Sequence, residues 1–266
     1  MLHLVTSKVL ARRRGGQRYY AVDGSRLNVQ RSKELWRECR GVKGSGSPQV
    51  QISVLFELRD EVPLNVEIGA FDASEREQCL AHLDSLRPGD VLVLDRGYPG
   101  FGLLRELQRR KIGFVVRCAS SSTFPAVERF LAGGKLDADI EIAPSASFRR
   151  SHPKEEWVPL RLRAVRITTP DGKASVILTS LRRREFPRAK IAKLYRRRWR
   201  IEEYFKLIKS PHFGSGQLHA KNFAGVKQEL YAQALYVAMT RLLAGVTQRP
   251  QDPTAPLTRA PLHLKA

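Results

Sequence analysis

Alternating apolar and polar positions predict that the chain begins with strands. Residues 17–23 are rich in β-forming side chains and run into Asp-Gly-Ser, which predicts a strand that ends at Asp23. A polar loop rich in glycine and serine is expected next. The alternating segments 48–60 and 62–71 then predict a hairpin that is closed near Asp60–Glu61.

Helical and apolar segments alternate after this hairpin. Two segments with helical spacing and two continuous apolar strands follow one another, at residues 75–86, 90–95, 101–111 and 112–118. Three strands followed by alternating helices and strands predict an α/β fold with a mixed sheet flanked by helices. Asp23 and Asp95 then both lie at the C-terminal ends of strands, where open α/β sheets tend to bind ligands.

The second half of the chain has a different pattern. Short alternating segments predict a β-rich insertion, which a long amphipathic helix follows at residues 186–209 and a last helix at 223–245. The predicted divisions are a core with its first part at 1–118, the insertion at 119–186, the second part of the core at 187–247, and a disordered tail at 248–266.

Composition and charge indicate which kind of partner the protein binds and which kinds of protein it is not. Lys and Arg number 47 against 26 Asp and Glu, a net charge of +21, which favours a nucleic-acid partner over a merely basic solvated surface. No apolar run is long enough to span a membrane. The three cysteines are too sparse for a zinc site or a disulfide framework, and they favour a reducing cytoplasm.

One helical stripe carries the clearest candidate chemistry. Tyr195, Arg198, Glu202 and Lys209 are spaced by three, four and seven residues, so they share a helix face with Lys206. A carboxylate among cations suggests a metal ligand surrounded by groups that hold phosphates. The alternative is that Glu202 is only an ion-pair partner of Arg198 or Lys206.

The pattern Y-x2-R-x3-E-x6-K resembles the signature of the family four insertion-sequence transposases, which carry a DDE catalytic domain. Two further motifs of that family are matched in order, Asp-Gly-Ser at Asp23 and Asp-Arg-Gly-Tyr at Asp95. The resemblance covers roughly residues 17–245. It implies a ribonuclease-H-like fold with a β-rich insertion before the last catalytic helix.

The resemblance implies DNA cleavage and strand transfer at the ends of a transposable element, with Asp23, Asp95 and Glu202 as the catalytic acids. Two Mg²⁺ ions, for which Mn²⁺ can substitute, suit three carboxylates and phosphodiester chemistry. Asp23 is expected to bridge both ions, and Asp95 and Glu202 to hold one ion each. Taken alone, Asp23 is most simply a turn residue.

A second set of residues is expected to contact DNA. By resemblance Tyr195, Arg198 and Lys209 hold phosphates at the cut end. Lys206 on the same stripe, Arg96 beside Asp95, and Trp199 complete the set. Trp199 is placed there because aromatic rings stack on splayed bases, and its alternative is a core position.

Family members usually carry an N-terminal DNA-binding domain, and only 22 residues precede Asp23, so that domain is expected to be missing. The expected partners are double-stranded DNA and a second copy of the chain bound on DNA, with the protein cytoplasmic and associated with the nucleoid. Two alternatives to a transposase stay open. One is a catalytically silent DNA-binding remnant that acts as a regulator, and the other is a structure-specific nuclease.

Overall fold

The computed structural model describes residues 17–41, 46–119, 124–153, 157–169 and 172–247, so the predicted tail lies outside the described residues. Eight strands form one sheet: β1 (Tyr19–Asn28), β2 (Gln49–Glu57), β3 (Val62–Ala70), β4 (Val91–Leu94), β5 (Gly113–Cys118), β6 (Asp137–Ile142), β7 (Leu160–Thr168) and β8 (Ala174–Thr179). The described helices are α1 (Lys33–Cys39), α2 (Glu75–His82), α3 (Phe101–Arg109), α4 (Pro125–Ala132), α5 (Ala146–Ser151), α6 (Arg188–Arg197), α7 (Trp199–Ile208) and α8 (Phe223–Thr247). None of these helices is long and apolar enough to cross a membrane.

The sheet is mixed, as its strand order shows. Its order is β3-β2-β1-β4-β5-β8-β7-β6, in which β1 is antiparallel to β2 and parallel to β4. Strands β4 and β5 are also parallel, and the continuous apolar run Val91–Leu94 is fully buried at the centre. The predicted mixed α/β sheet is confirmed. The strands of the predicted insertion pair antiparallel to β5 and to one another, so they extend the same sheet.

Strand β1 does not end at Asp23, and this prediction is wrong. Its pairing with β2 is unbroken from Tyr20 opposite Glu57 to Asn28 opposite Gln49, and these ladder bonds keep Asp-Gly-Ser extended. The parallel pairing with β4 stops earlier, at Ala21. Asp23 therefore lies just past the last β1–β4 pair, where the sheet opens into a notch.

The predicted long helix is interrupted at Arg198. Its backbone N–H donates to the Tyr195 carbonyl at 3.0 Å, an i to i+3 bond that tightens one turn and separates α6 from α7. The apolar stripe of α6 and α7 is buried, at Leu194, Ile201, Phe205 and Ile208. The two helices therefore pack against the core through this stripe, and the face that carries Tyr195 and Arg198 lies toward the notch.

An acidic side chain in the β2–β3 turn fastens α7 and α8 to the sheet. Glu61 is mostly buried and has a left-handed backbone with φ of 57°. Its carboxylate lies 3.5 Å from Nε of Arg200 in α7 and 3.3 Å from Nη1 of Arg241 in α8. Arg197 adds a bond of 3.0 Å to the Leu58 carbonyl in the same turn. Together these contacts hold α6, α7 and α8 against the β2–β3 turn.

Packing under α6 is expected to dominate the stability of this region. Replacing Leu194, which is 5% exposed, in Leu194→Ala should lower the free energy of unfolding by about 2–4 kcal/mol, because it leaves a cavity. Leu243→Ala, at a leucine of α8 that is 65% exposed, should change it by less than about 0.5 kcal/mol. Urea denaturation of both variants measures the difference. Equal effects would contradict the packing described for α6.

Candidate active site

Three elements bring the three predicted acids to the notch between β1 and β4. Asp23 lies in β1, Asp95 follows the last residue of β4, and Glu202 lies in the first turn of α7. The side chains of Asp23 and Glu202 are 22% and 27% exposed, so solvent and a ligand can still reach them. Residues that are far apart in the sequence thus meet where the pairing of β1 with β4 ends.

The guanidinium of Arg198 lies among these acids. Its Nη1 donates to Oδ2 of Asp23 at 3.1 Å, and its Nη2 donates to Oε1 of Glu202. Arg198 itself is 7% exposed, so one buried cation joins the first and the third acid. The hydroxyl of Tyr195 donates to Oδ1 of Asp95 at 3.0 Å, one helical turn earlier on the same face. Glu202 thus forms the ion pair with Arg198, and the same guanidinium joins it to Asp23.

The charges in the site hold one another in place. Burial raises the pKa of Asp23, the charge of Arg198 opposes that rise, and Asp95 and Glu202 add to it. Burial alone would lower the pKa of Arg198, but the surrounding negative charges raise it above its usual value. Burial and the charge of Asp95 raise the pKa of Tyr195 to about 12. At neutral pH Arg198 is therefore a cation and Tyr195 is a hydrogen-bond donor.

Gly24 and Ser25 of Asp-Gly-Ser make contacts that a simple turn would not need. The backbone N–H of Gly24 donates to Oδ1 of Asp23 at 2.9 Å. A Cβ on Gly24 would come within 2.6 Å of the Gln51 amide nitrogen and 3.0 Å of a Glu75 oxygen. Ser25 accepts a bond of 2.6 Å from Nζ of Lys209, which ties the end of α7 to β1. The motif is thus a packing site between strand and helix.

The remaining predicted DNA-binding residues lie on the surface. Arg96 is exposed directly after Asp95, and Lys206 is exposed on α7. Trp199 is 53% exposed, which rules out the core position considered for it, and Nζ of Lys206 lies 5.5 Å from the centre of its indole ring. The structure therefore gathers Tyr195, Arg198 and Lys209 around the acids and leaves the other three residues accessible outside them.

Sequence reasoning assigned no role to Tyr98, the last residue of Asp-Arg-Gly-Tyr. It is 1% exposed, and its hydroxyl has no hydrogen-bond partner among the described residues. Burial raises its pKa, and the charges of Asp23, Cys79 and Glu75 raise it further. A buried hydroxyl without a partner is uncommon and requires an explanation. Its position in the motif, three residues after Asp95, was the available signal.

The donor set suits a divalent cation, but a finished metal site is not formed. Over the residues that the structure describes, no three acidic, histidine or cysteine side chains are assembled to hold a metal ion. Arg198 occupies one oxygen each of Asp23 and Glu202. Three carboxylates are still the ligand type that Mg²⁺ and Mn²⁺ prefer. The residues fit such an ion once Arg198 gives up or shares its bonds.

Comparison with known proteins adds a family to this geometry. Residues 14–239 match the family described as the transposase DDE domain. A Sinorhizobium fredii protein named "Putative transposase y4zB" is 24% identical over 211 residues, which is 79% of this chain. The chain spans 58% of the length of that relative.

A solved structure with a similar fold is the piggyBac transposase in a synaptic complex with hairpin DNA. The identity is 8% and the TM-score 0.52, over 88% of this chain and 49% of that one. At this identity the similarity concerns the fold alone. The shared fold confirms the expectation of a ribonuclease-H-like sheet flanked by helices.

Removing the buried cation should expose the repulsion among the acids. Arg198→Ala is expected to lower the free energy of unfolding by roughly 1–3 kcal/mol, because partly buried carboxylates lose their partner. Millimolar Mg²⁺ or Mn²⁺ should then raise the Tm of this variant more than that of the wild type, since a cation can replace the guanidinium.

The control is Arg200→Ala, which removes an arginine two residues away that is 50% exposed. Its Tm should respond to the metal as the wild type does. If Arg198→Ala gains no extra metal stabilisation, the three acids do not share a cation-binding position.

Proposed function

The chain belongs to the family of transposase DDE domains, and from this membership we propose that it is the catalytic part of a transposase that cleaves and joins DNA. The observation that carries the proposal is the convergence of Asp23, Asp95 and Glu202 on one side of the sheet, around Arg198. The net charge of +21 supports a polyanionic substrate. The family four signature in the same helices supports an insertion-sequence element as that substrate.

Asp23, Asp95 and Glu202 would hold the divalent ions, which we propose to be two Mg²⁺ with Mn²⁺ as a substitute. When bound, such ions activate the attacking oxygen and stabilise the leaving oxygen of a phosphodiester. The carboxylate of Asp23 is already oriented, because Arg198 holds one of its oxygens and the Gly24 N–H holds the other. Carboxylates fixed in this way lose little freedom when the ions bind.

The cationic and phenolic groups around the acids would position the DNA. Tyr195 and Arg198 carry donors directly beside the carboxylates, so a phosphate held at the acids lies within their reach. Lys209, fixed by Ser25, would bind the neighbouring phosphate. Burial lowers the pKa of Lys209, and an approaching phosphate opposes that shift by favouring the charged form. Arg96, Lys206 and Trp199 would contact the duplex farther out.

The whole protein's assembly belongs to the same proposal. Cleavage at two ends of one element requires two sites, so we propose a homodimer on DNA as the active form. We place it in the cytoplasm, at the bacterial chromosome. A DNA-binding regulator without catalysis and a structure-specific nuclease are the two alternatives that the following experiment separates.

The test is cleavage of a labelled duplex that carries the DNA end flanking the encoding element, with Mg²⁺ or Mn²⁺. Glu202→Gln should lower the cleavage rate about a thousandfold or more, because ligand charge at such an ion contributes several kcal/mol and each 1.36 kcal/mol is tenfold. Glu203→Gln is the matched control, since Glu203 is 49% exposed and pairs with Arg200. Its rate should stay within a few-fold of the wild type.

Three other outcomes would change the assignment. Equal rates in both variants would remove Glu202 from the catalytic set. Cleavage of any branched or hybrid duplex, without preference for the element end, would favour a nuclease. Binding that is sensitive to salt, without cleavage by the wild type under any metal, would favour the regulator.

A further inference from the structure

A positively charged cavity of about 310 Å³ lies between β7 and α6, apart from the catalytic acids. Three of its lining residues are arginines, Arg166 from β7 and Arg188 and Arg196 from α6, and none is acidic. The rest of the lining is small or uncharged, including Ala192 midway between the two helix arginines. A cavity with this lining attracts anions.

Arg166 is fixed by the protein and still has a donor to spare. Its Nη2 donates to the carbonyls of Phe130, at 3.4 Å, and Leu131, in the last turn of α4. Its Nε is buried and has no hydrogen-bond partner among the described residues. Arg166 thus contributes a positive charge to the wall of the cavity, held in place by its bonds to α4.

Arg188 and Arg196 extend this charge along the helix. They are exposed and eight residues apart, and with Ala192 they form one stripe of α6. At a rise of about 1.5 Å per residue, the stripe is about 12 Å long. Neither arginine forms an ion pair with an acid in the part of the chain that the structure describes. Both positive charges are therefore available to a ligand.

One end of the stripe lies next to Tyr195 along α6. Arg196 directly follows Tyr195, whose hydroxyl binds Asp95. The other end, at Arg188, begins α6 about two turns away. A ligand that lies along the stripe thus follows α6 over β7, and its end at Arg196 is the end nearer to Tyr195.

We propose that this groove, lined by Arg166, Arg188 and Arg196, binds backbone phosphates of the DNA strand that leaves the catalytic acids. Guanidinium groups bind phosphate oxygens through paired N–H donors, and a row of them matches a chain of phosphates. The small side chain of Ala192 leaves room for the sugar and phosphate between the two charges. This inference rests on the proposed function, because it assumes that DNA occupies the acids.

The test is the salt dependence of duplex DNA binding, measured in EDTA so that no cleavage occurs. Arg188→Gln and Arg196→Gln should each lower the slope of log K against log salt by about 0.9, the amount for one phosphate contact. Arg166 is left intact because it also binds α4. The matched control is Lys190→Gln, which removes one charge from an exposed residue about 160° around α6 from Arg188. Its slope should equal that of the wild type.

Two results would overturn the groove. One is an unchanged slope in both arginine variants, and the other is an equal loss in Lys190→Gln, which would reveal only general charge. A duplex with single neutral methylphosphonate linkages sharpens the test. At one position the neutral linkage should weaken DNA binding by the wild type but not by Arg188→Gln. If no position behaves in this way, Arg188 does not contact a phosphate directly.

Cleavage by the wild type in Mg²⁺ or Mn²⁺, run in parallel, separates this inference from the proposed function. Cleavage with unchanged slopes overturns the groove alone. Groove-dependent slopes without any cleavage overturn the catalytic proposal and retain a DNA-binding groove. If inorganic phosphate binds in the cavity while the salt slopes for DNA stay unchanged, the groove binds a small anion and the proposal is wrong.

Discussion

Carboxylates repel one another when they are drawn together and partly buried, and here one guanidinium offsets that repulsion. Arg198 binds Asp23 and Glu202 at once, and its charge also acts on Asp95. Because Arg198 is itself buried, its charge is poorly screened by water and needs these acids in turn. The cation and the acids therefore stabilise one another.

The fold makes this arrangement possible through three features of its geometry. Strand β1 continues past the end of its pairing with β4, so Asp23 projects at an open notch while its backbone remains bonded to β2. The helices above are held by a buried stripe and by Glu61, which binds Arg200 and Arg241. A short interruption at Arg198 then allows one guanidinium to reach both a strand and the next helical turn. The convergence of the three acids is thus a consequence of where two strands stop pairing.

Much of this could be predicted from local patterns, and the exceptions have physical reasons. Alternation predicted the β2–β3 hairpin, an amphipathic pattern predicted the last helix, and the motifs pointed to acids that the fold does bring together. Asp-Gly-Ser was misjudged as a turn because its turn preference is weaker than the β2 ladder, which lies about 30 residues away in sequence. The unpaired hydroxyl of Tyr98 and the bond from Lys209 to Ser25 depend on tertiary packing, which no local pattern shows.

Anomalous scattering from Mn²⁺ in crystals of the protein would show whether the three acids bind a divalent ion. We expect manganese density in contact with Asp23, Asp95 and Glu202, with the guanidinium of Arg198 moved away from at least one of its two acids. Manganese bound elsewhere, or absent while Arg198 keeps both of its bonds at saturating metal, would contradict it. In that case the three acids would be a structural ion-pair network and not a site for phosphodiester chemistry.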